Sequence, residues 1–259
     1  EFFKYHGAGN DFILIDNRDG ATELSKEQIV LLCDRHQGIG ADGIILLETS
    51  PKADCFMNYY NSDGSVAEMC GNGVRCLAKF FLAQTKSNAK ELSIDTRAGI
   101  KKVIKNDDES FSVNMGAPIF SHADFPKGPL ILENISFDFV SMGNSHAVGL
   151  VKDISQINLS SIGPKIENDA HFPNKINVEF MEKVSNDYFK VKVWERGSGE
   201  TLACGTGACA VYAIVRQGLT PKVTLEFPGG KLFLSENEKG EIVLRGPAVC
   251  VFKGRYDKI

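Results

Sequence analysis

Most hydrophobic residues of this chain fall in short runs, separated by polar stretches that often contain glycine or proline. Short runs rich in Val, Ile, Phe and Tyr are typical of β-strands. In the first half of the chain they cover 12–16, 43–48, 55–60, 91–95, 101–105 and 111–115. In the second half they are SFDFV, HAVGLV, INVEFM, YFKVKVW, KVTLEF, KLFLS and EIVLR. The pattern predicts that strands dominate both halves.

Two longer segments are apolar on nearly every side when they are drawn as helices. They are VRCLAKFFLAQ (74–84) and ACAVYAIVRQ (208–217). A helix that is hydrophobic all round is a buried one. Each half is therefore expected to wrap its strands around one central helix. A third segment, KEQIVLLCDRH (26–36), is also predicted to be helical.

A four-residue pattern, C-G-x-G, precedes both central helices. It occurs at 70–73 and again at 204–207, an offset of 134 residues (204 − 70). A Gly-Asn pair likewise occurs twice, at 9–10 and at 143–144, and the two copies are separated by the same 134 residues. A constant offset between separate segments indicates an internal duplication.

The duplication predicts two domains of similar architecture. Gly-Ala-Pro at 116–118 is a turn signal, so we place the halves at 1–116 and 117–246, each with one C-G-x-G. The C-terminal strand, at about 247–259, could pack on the first half.

Composition narrows the class of protein. The 259 residues include 43% hydrophobic and 24% charged residues, with a net charge of −4, which argues against a nucleic-acid partner. No apolar run reaches the length of a membrane span, and the opening segment reads as a strand rather than a signal peptide. Seven cysteines, an odd number, favour reduced thiols and a cytoplasmic location.

The repeated C-G-x-G has a chemical interpretation. A cysteine just before a helix faces unsatisfied N–H groups and the positive end of the helix dipole, which should lower its pKa below about 8.5. The glycines let a ligand approach the backbone, and the N–H groups can bind a carboxylate. Two such thiols on opposite faces of one carbon are what stereoinversion requires.

A structural metal site is the alternative of a different class, with Cys70, Cys76, Cys204 and Cys209 as ligands. At about 100° per residue, Cys76 lies about 240° around the helix from Cys70, and Cys209 about 140° from Cys204. Neither pair can chelate from one helix, and a C-x2-C spacing is absent from the sequence. We therefore expect no metal.

Six motifs resemble one known family. They are HGAGNDF (6–12), RHQGIGADG (35–43), YNSDGSVAEMCGNGVRC (60–76), SMGNSH (141–146), FPNKIN (172–177) and WERGSGETLACGTGAC (194–209). Together they are similar to the diaminopimelate epimerases, which are cofactor-independent amino-acid epimerases. The resemblance implies an α/β (α+β) fold of two pseudo-symmetric halves, each a β-roll around a central buried helix, with the active site in the cleft between them.

The resemblance also implies site residues. Cys70 and Cys204 match the two catalytic cysteines, and His146 and Glu195 match groups that assist the thiols. The substrate-binding positions of the family match Asn10, Gly43, Asn61, Gly71, Asn72, Asn144, Asn177, Glu195, Arg196, Gly205 and Thr206.

Some of these matches carry a more specific implication. The pair Glu195-Arg196 matches the groups that recognise the distal amino and carboxylate groups of the substrate. Two positions depart from the family pattern. Gly43 stands where some members carry Gln, which removes a side-chain contact, and Ser145 stands where Pro is usual, which should loosen that loop.

The activity implied is interconversion of LL- and meso-2,6-diaminopimelate, in lysine and peptidoglycan precursor synthesis, without cofactor or metal. The partner implied is a small amino-acid substrate, with a possible homodimer through the region of Phe252, where many members carry an interface Tyr. A related two-cysteine racemase or epimerase of proline or hydroxyproline is the runner-up. Its ligands lack a distal amino-acid group for Asn61, Asn177, Glu195 and Arg196 to hold.

Overall fold

A computed structural model describes residues 1–123, 125–216 and 222–257. The chain folds as two compact units. One is formed by Glu1–Val113 together with Gly246–Ile259, and the other by Asn114–Arg245. Of the helices in the described ranges, none has both the length and the apolar character that crossing a membrane requires.

The first unit contains two helices and eight strands among its described residues. In chain order they are β1 (Phe2–Gly7), β2 (Asn10–Asp16), α1 (Lys26–Cys33), β3 (Gly43–Glu48), β4 (Cys55–Asn61), α2 (Gly71–Thr85), β5 (Glu91–Asp95), β6 (Lys101–Lys105) and β7 (Phe111–Gly116), with β17 (Val249–Gly254) added from the C-terminal segment. Helix α1 begins in a capping box formed by Ser25 and Gln28. Helix α2 is buried along most of its length and contacts all six strands from β1 to β6.

Strand pairing in the first unit follows one order, β17-β1-β2-β3-β4-β5-β6-β7. The pairs β2–β3 and β4–β5 are parallel, and the other five are antiparallel. Helix α1 packs on the outer side of this sheet, where Ile29 and Leu32 join a core cluster with Ile13 and Ile44.

The second unit repeats this plan. In chain order it contains β8 (Leu130–Leu132), β9 (Ile135–Ser141), β10 (Ser145–Val151), a 3-10 turn (Ile154–Gln156), α3 (Leu159–Glu167), β11 (Asn177–Lys183), β12 (Tyr188–Glu195), β13 (Gly199–Thr201), α4 (Gly205–Val215), β14 (Lys222–Phe227), β15 (Gly230–Glu236) and β16 (Ile242–Gly246). Helix α4 is its central helix and contacts β9, β10, β11 and β15.

The strands of the second unit pair in the order β8-β9-β10-β11-β12-β14-β15-β16. The pairs β10–β11 and β12–β14 are parallel and the other five are antiparallel, which is the same order of parallel and antiparallel pairs as in the first unit. The short strand β13 adds to β12. The predicted fold class, two similar halves that each enclose a helix in strands, is confirmed.

The structure differs from the sequence prediction mainly in its helices. The central helices begin earlier than predicted, so that each cysteine lies immediately before the first helical residue. Helix α4 ends at Val215, and Gln217 of the predicted segment lies outside the described residues. Helix α3 was not predicted, because Gly163 and Pro164 in its interior are weak helix formers. Burial of Leu159 and Ile166 in the core stabilises it.

We predict that Gly163→Ala lowers the free energy of unfolding by about 1–3 kcal/mol. A Cβ at this position would lie 2.4 Å from Cδ2 of Trp194, which β12 holds in place just before Glu195. Urea unfolding measures the loss. Ser160→Ala, on the exposed side of α3, is the matched control and should be nearly neutral. Equal stability of Gly163→Ala and the unaltered protein would contradict this packing.

Candidate active site

Cys70 is the N-cap residue of α2, and its thiol lies beside Asn10 at the start of β2. The Cys70 Sγ donates to Oδ1 of Asn10 at 3.5 Å. The side-chain amide of Asn72, in the first turn of α2, donates to the same oxygen at 3.1 Å. The structure therefore brings three of the predicted site residues of the first unit together.

Asp42 fixes which way the Asn10 side chain points. Nδ2 of Asn10 donates to Oδ2 of Asp42 at 2.7 Å, which leaves Oδ1 turned toward Cys70. Burial raises the pKa of Asp42, and the hydrogen bond from Asn10 acts in the opposite direction. Asp42 was not predicted as a site residue, although it directly precedes Gly43.

A cluster of charges supports Asn10 from the other side. Asp11 forms ion pairs with Lys4 at 2.7 Å and with Arg35 at 2.7 Å, and Arg35 also contacts Asp42 at 2.8 Å. Burial raises the pKa of Asp11, but the hydrogen bonds and charges of Arg35 and Lys4 outweigh it and lower the pKa to about 2. Asp11 is thus ionised at neutral pH and anchors the turn that carries Asn10.

Arg75 holds the first turn of α2 from inside the unit. It is fully buried, and its guanidinium donates to Oδ1 of Asn72 at 2.8 Å and to the carbonyl of Gly71 at 3.4 Å. Its Nε donates to the carbonyl of Pro247 at 3.2 Å, so the C-terminal segment is tied to the same turn. Arg75 was also missed, because in sequence it is one charge inside an apolar helix.

Gly43 and Asn61 are directly opposite each other in the β3–β4 pair. The Asn61 side chain donates to Oγ of Ser65 at 3.0 Å. A Cβ on Gly43 would lie 2.5 Å from the carbonyl oxygen of Tyr60 and 2.7 Å from the Tyr59 ring. The backbone here has no room for the Gln that the family pattern allows, so more than a side-chain contact distinguishes this position.

Cys204 is the N-cap residue of α4 and lies in the same setting in the second unit. Its buried sulfur accepts from the N–H of Gly207 at 3.3 Å and lies 3.4 Å from Oγ1 of Thr206. The Asn144 amide donates to Oγ1 of Thr206 at 3.3 Å. Asn144, the repeat partner of Asn10, therefore reaches its cysteine through a hydroxyl rather than directly.

The lowered pKa that the sequence predicts is wrong for Cys204. Burial raises the pKa of this thiol well above its ordinary value, and the nearby carboxyls of Glu195 and Glu179 raise it further, while the hydrogen bonds from Thr206 and Gly207 lower it. Burial also raises the pKa of Glu195, against its hydrogen bonds with Thr201 and Cys204. Cys204, which is buried, and Glu195, which is partly buried, thus form a pair in which each group favours its protonated form.

His146 and Glu179 form a fully buried pair behind Cys204. Nδ1 of His146 lies 2.7 Å from Oε1 of Glu179, and Nε2 lies 3.0 Å from Oδ1 of Asn144. Glu179 was not predicted as a site residue. The signal that could have found it is a carboxylate directly between two apolar residues, Val178 and Phe180, of a predicted strand.

Asn177 and Arg196 make a separate group. Oδ1 of Asn177 accepts from the backbone N–H of Arg196 at 3.0 Å, and its Nδ2 donates to the carbonyl of Ser145 at 2.9 Å. The exposed Arg196 guanidinium donates to the carbonyl of Asn174 at 3.1 Å. The loop at Ser145, expected to be loosened by the loss of Pro, is tied by Asn177 to β11.

The predicted site residues thus form four clusters, two in each unit. The clusters are Cys70 with Asn10 and Asn72; Gly43 with Asn61; Cys204 with Thr206, Asn144, His146 and Glu195; and Asn177 with Arg196. Gly71 and Gly205 are the first residues of the central helices. Their roles toward a ligand stay predictions. In the described part of the chain, no three His, Cys, Asp or Glu side chains are grouped so that they could hold a metal ion.

Comparison with known proteins places this arrangement in a family. The model of the diaminopimelate epimerase family matches residues 2–121 and 139–251, and the chain belongs to this family. A diaminopimelate epimerase from Gloeothece citriformis is 44% identical over 99% of each chain, and one from Methanococcus maripaludis is 41% identical over 99% of each chain.

A likeness at lower identity shows the shared fold. A hydroxyproline epimerase from Agrobacterium vitis, solved with trans-4-hydroxy-L-proline bound, is 15% identical, with a TM-score of 0.68 over 96% of this chain and 88% of that chain.

Asp11→Asn is predicted to destabilise the protein in a pH-dependent way. Because the pKa of Asp11 is depressed to about 2, below the ordinary value of an aspartate, its stabilisation is present above pH 4 and is lost as the pH falls toward 2. The shift corresponds to about 2 kcal/mol. Urea unfolding of both proteins between pH 7 and pH 3 should show the difference narrowing as the pH falls.

Asp107→Asn is the control for this prediction, since Asp107 pairs with Lys90 in full exposure and such pairs contribute little. A gap between Asp11→Asn and the unaltered protein that stayed constant over the whole range would contradict the role given to the Asp11 ion pairs.

Proposed function

We propose that this protein interconverts LL- and meso-2,6-diaminopimelate by moving a proton at one Cα, with Cys70 and Cys204 as the two acid/base groups. The observation that carries the proposal is the repeated device itself. In each unit a cysteine caps the central helix and a Gly-Asn loop supports it. The activity named for the relatives that match nearly the whole chain supports the same assignment.

In this mechanism one sulfur, as thiolate, takes the Cα proton while the other, as thiol, delivers a proton to the opposite face. The carbanion between these events places negative charge on the substrate carboxylate. First-turn N–H groups at Gly71-Asn72 and Gly205-Thr206 would bind this carboxylate in a preorganised way. Glu195, hydrogen bonded to Cys204, would assist the gain and loss of the proton on that thiol.

The distal end of the substrate distinguishes diaminopimelate from proline. Arg196 is exposed, and Asn177 holds the backbone at its base, so its guanidinium is available to a second carboxylate. Asn61 and Glu195 would receive the second amino group. Proline and hydroxyproline have no group for these side chains.

The proposed reaction belongs to lysine and peptidoglycan precursor synthesis, and needs neither metal nor cofactor. A cytoplasmic location is supported by the seven cysteines, all of which are free thiols in the structure. Strand β17, in which Val251 and Phe252 are exposed, is the surface on which a second copy would pack in a homodimer.

Deuterium incorporation tests the two-thiol mechanism. In D₂O, pure LL-diaminopimelate should give meso product that carries deuterium at the inverted centre, because the thiol that delivers a proton has exchanged with solvent. Unreacted substrate recovered early should still carry hydrogen there, because the other thiol returns the proton that it took. Mass spectrometry of the separated isomers measures both. Appreciable undeuterated product at low conversion would indicate one base that serves both faces.

Cys70→Ala and Cys204→Ala should each lower epimerisation by about 10²–10⁴-fold, the loss expected for one acid/base group, because neither thiol can replace the other. Both variants should fold with native circular dichroism. Cys76→Ala and Cys209→Ala, also cysteines of the central helices but fully buried, should keep most activity and lose some stability. Substantial turnover by either of the first two variants would rule out the two-thiol assignment.

A further inference from the structure

The two units differ at one pair of equivalent buried positions. At the repeat offset of 134, His146 and Glu179 correspond to Phe12 and Ile45. The register agrees, because Phe12 lies opposite Gly43 in β2–β3 as His146 lies opposite Asn177 in β10–β11. All four side chains are fully buried. The pair behind Cys70 is therefore apolar, whereas the equivalent pair behind Cys204 is ionisable.

The contact with the central helix is equivalent as well. A Cβ on Gly73 would lie 2.9 Å from Cδ1 of Ile45, and a Cβ on Gly207 would lie 2.5 Å from Oε1 of Glu179. Isoleucine thus fills this place under the first turn of a central helix without any polar group. Burying a carboxylate there costs free energy unless it is paired. The packing of the fold does not require Glu179.

We infer that Glu179 is a positioning residue that keeps His146 doubly protonated, and that the hydrogen bonds then run from His146 through Asn144 and Thr206 to the sulfur of Cys204. No assignment from the family resemblance covers Glu179. The kinetic part of the inference rests on the proposed function, whereas the charge of His146 can be measured without it.

The surroundings of Glu179 call for a counter-charge. Its Oε1 is 2.7 Å from His146, and its Oε2 is buried with no hydrogen-bond partner among the described residues. His146 is therefore the one group in the described structure that can neutralise this carboxylate by direct contact.

The second nitrogen of His146 leads to the same protonation. Its Nε2 faces Oδ1 of Asn144 at 3.0 Å, since Nδ2 of Asn144 is used to donate to Thr206. Both ring nitrogens thus face oxygen acceptors, and a ring that donates from both is an imidazolium. Glu179 balances its charge.

The direction of these hydrogen bonds decides whether Thr206 donates a hydrogen bond to the sulfur of Cys204. Because Thr206 accepts from Asn144, its own hydroxyl hydrogen is available to the sulfur, 3.4 Å away. Together with the N–H of Gly207, the sulfur then has two donors, which favours its thiolate. With a neutral His146 the Asn144 amide would turn over, Thr206 would donate to Asn144, and Cys204 would have to keep its proton.

One other titratable group faces this chain among the described residues. Glu195, on β12, contacts Cys204 directly and is held by Thr201. The inference leaves the contact between Glu195 and Cys204 unchanged. Glu179→Gln also removes a negative charge that raises the pKa of Cys204 and of Glu195. This loss favours the thiolate, whereas loss of the hydrogen bonds through Thr206 disfavours it, so the two effects act in opposite directions.

Nitrogen NMR of protein labelled with ¹⁵N-histidine tests the charge of His146 directly. At pH 7.5 the His146 signals, assigned by their loss in His146→Gln, should have imidazolium shifts in the unaltered protein and neutral shifts in Glu179→Gln. Glu182→Gln is the matched control, on the same strand but bonded to the backbone N–H of Ile154, and should leave His146 charged. A neutral His146 in the unaltered protein would overturn the inference.

Kinetics and stability then separate a positioning role from a structural one. Glu179→Gln should lower kcat about ten- to a hundredfold, the loss expected for one charge-assisted hydrogen bond, with KM changed less than about threefold. Glu182→Gln should keep kcat within about twofold, because Glu182 binds the backbone N–H of Ile154 and belongs to none of the hydrogen bonds that lead to Cys204.

The double variant His146→Phe with Glu179→Ile copies the first unit into the second. It should unfold at a urea concentration no lower than the unaltered protein, because apolar replacement of a buried ion pair is often neutral or stabilising. Its kcat should fall at least as far as that of Glu179→Gln. A double variant that retained kcat, or one that lost both stability and kcat, would show that the pair serves packing rather than Cys204. Absent activity in the unaltered protein would instead refute the proposed function and leave the NMR result standing.

Discussion

Both units depend on the hydrogen bonding at the N-terminal end of their central helix. A helix enclosed by strands can satisfy its interior N–H groups, but those of its first turn have no partner within the helix. In both units the residue at this end is a cysteine, a weak hydrogen-bonding group, rather than a serine or aspartate that would cap the helix more strongly. The first-turn N–H groups of each central helix therefore lie beside its thiol, and in the second unit that of Gly207 donates to the sulfur.

Around this shared end the two units use different supports. The first has Arg75 inside the helix and Asp42 behind Asn10, so a permanent cation and a carboxylate orient the groups near Cys70. The second has Glu195 beside Cys204 and a buried pair behind it. A duplicated frame thus supplies two thiols in unlike electrostatic settings. Such settings suit a reaction in which the two thiols hold different protonation states at any moment.

The sequence predicts the strands and central helices better than it predicts the side chains that orient the groups around the two cysteines. The strands, the central helices and the offset of 134 follow from periodicity and a repeated motif. Helix propensity did not predict α3, because Gly163 and Pro164 lie within it. The internal repeat does indicate it, since α1 shifted by 134 residues covers 160–167, nearly the range of α3. Asp42, Arg75 and Glu179 were missed because their importance lies in contacts between strands and helices distant in sequence. Burial, which reverses the expected pKa shift of Cys204, is likewise a tertiary property.

Strand β17 has a consequence for the order of folding. In the first unit it pairs with β1 at the position that β8 takes beside β9 in the second, and Pro247 just before it receives the Arg75 guanidinium. The second unit is continuous in sequence, but the first receives this strand only after residues 114–245 have been synthesised. On the ribosome, the second unit can therefore complete its sheet first, although the first unit begins to emerge earlier. The helix turn after Cys70, which Arg75 supports, is tied to the Pro247 carbonyl only after the whole second unit has been synthesised.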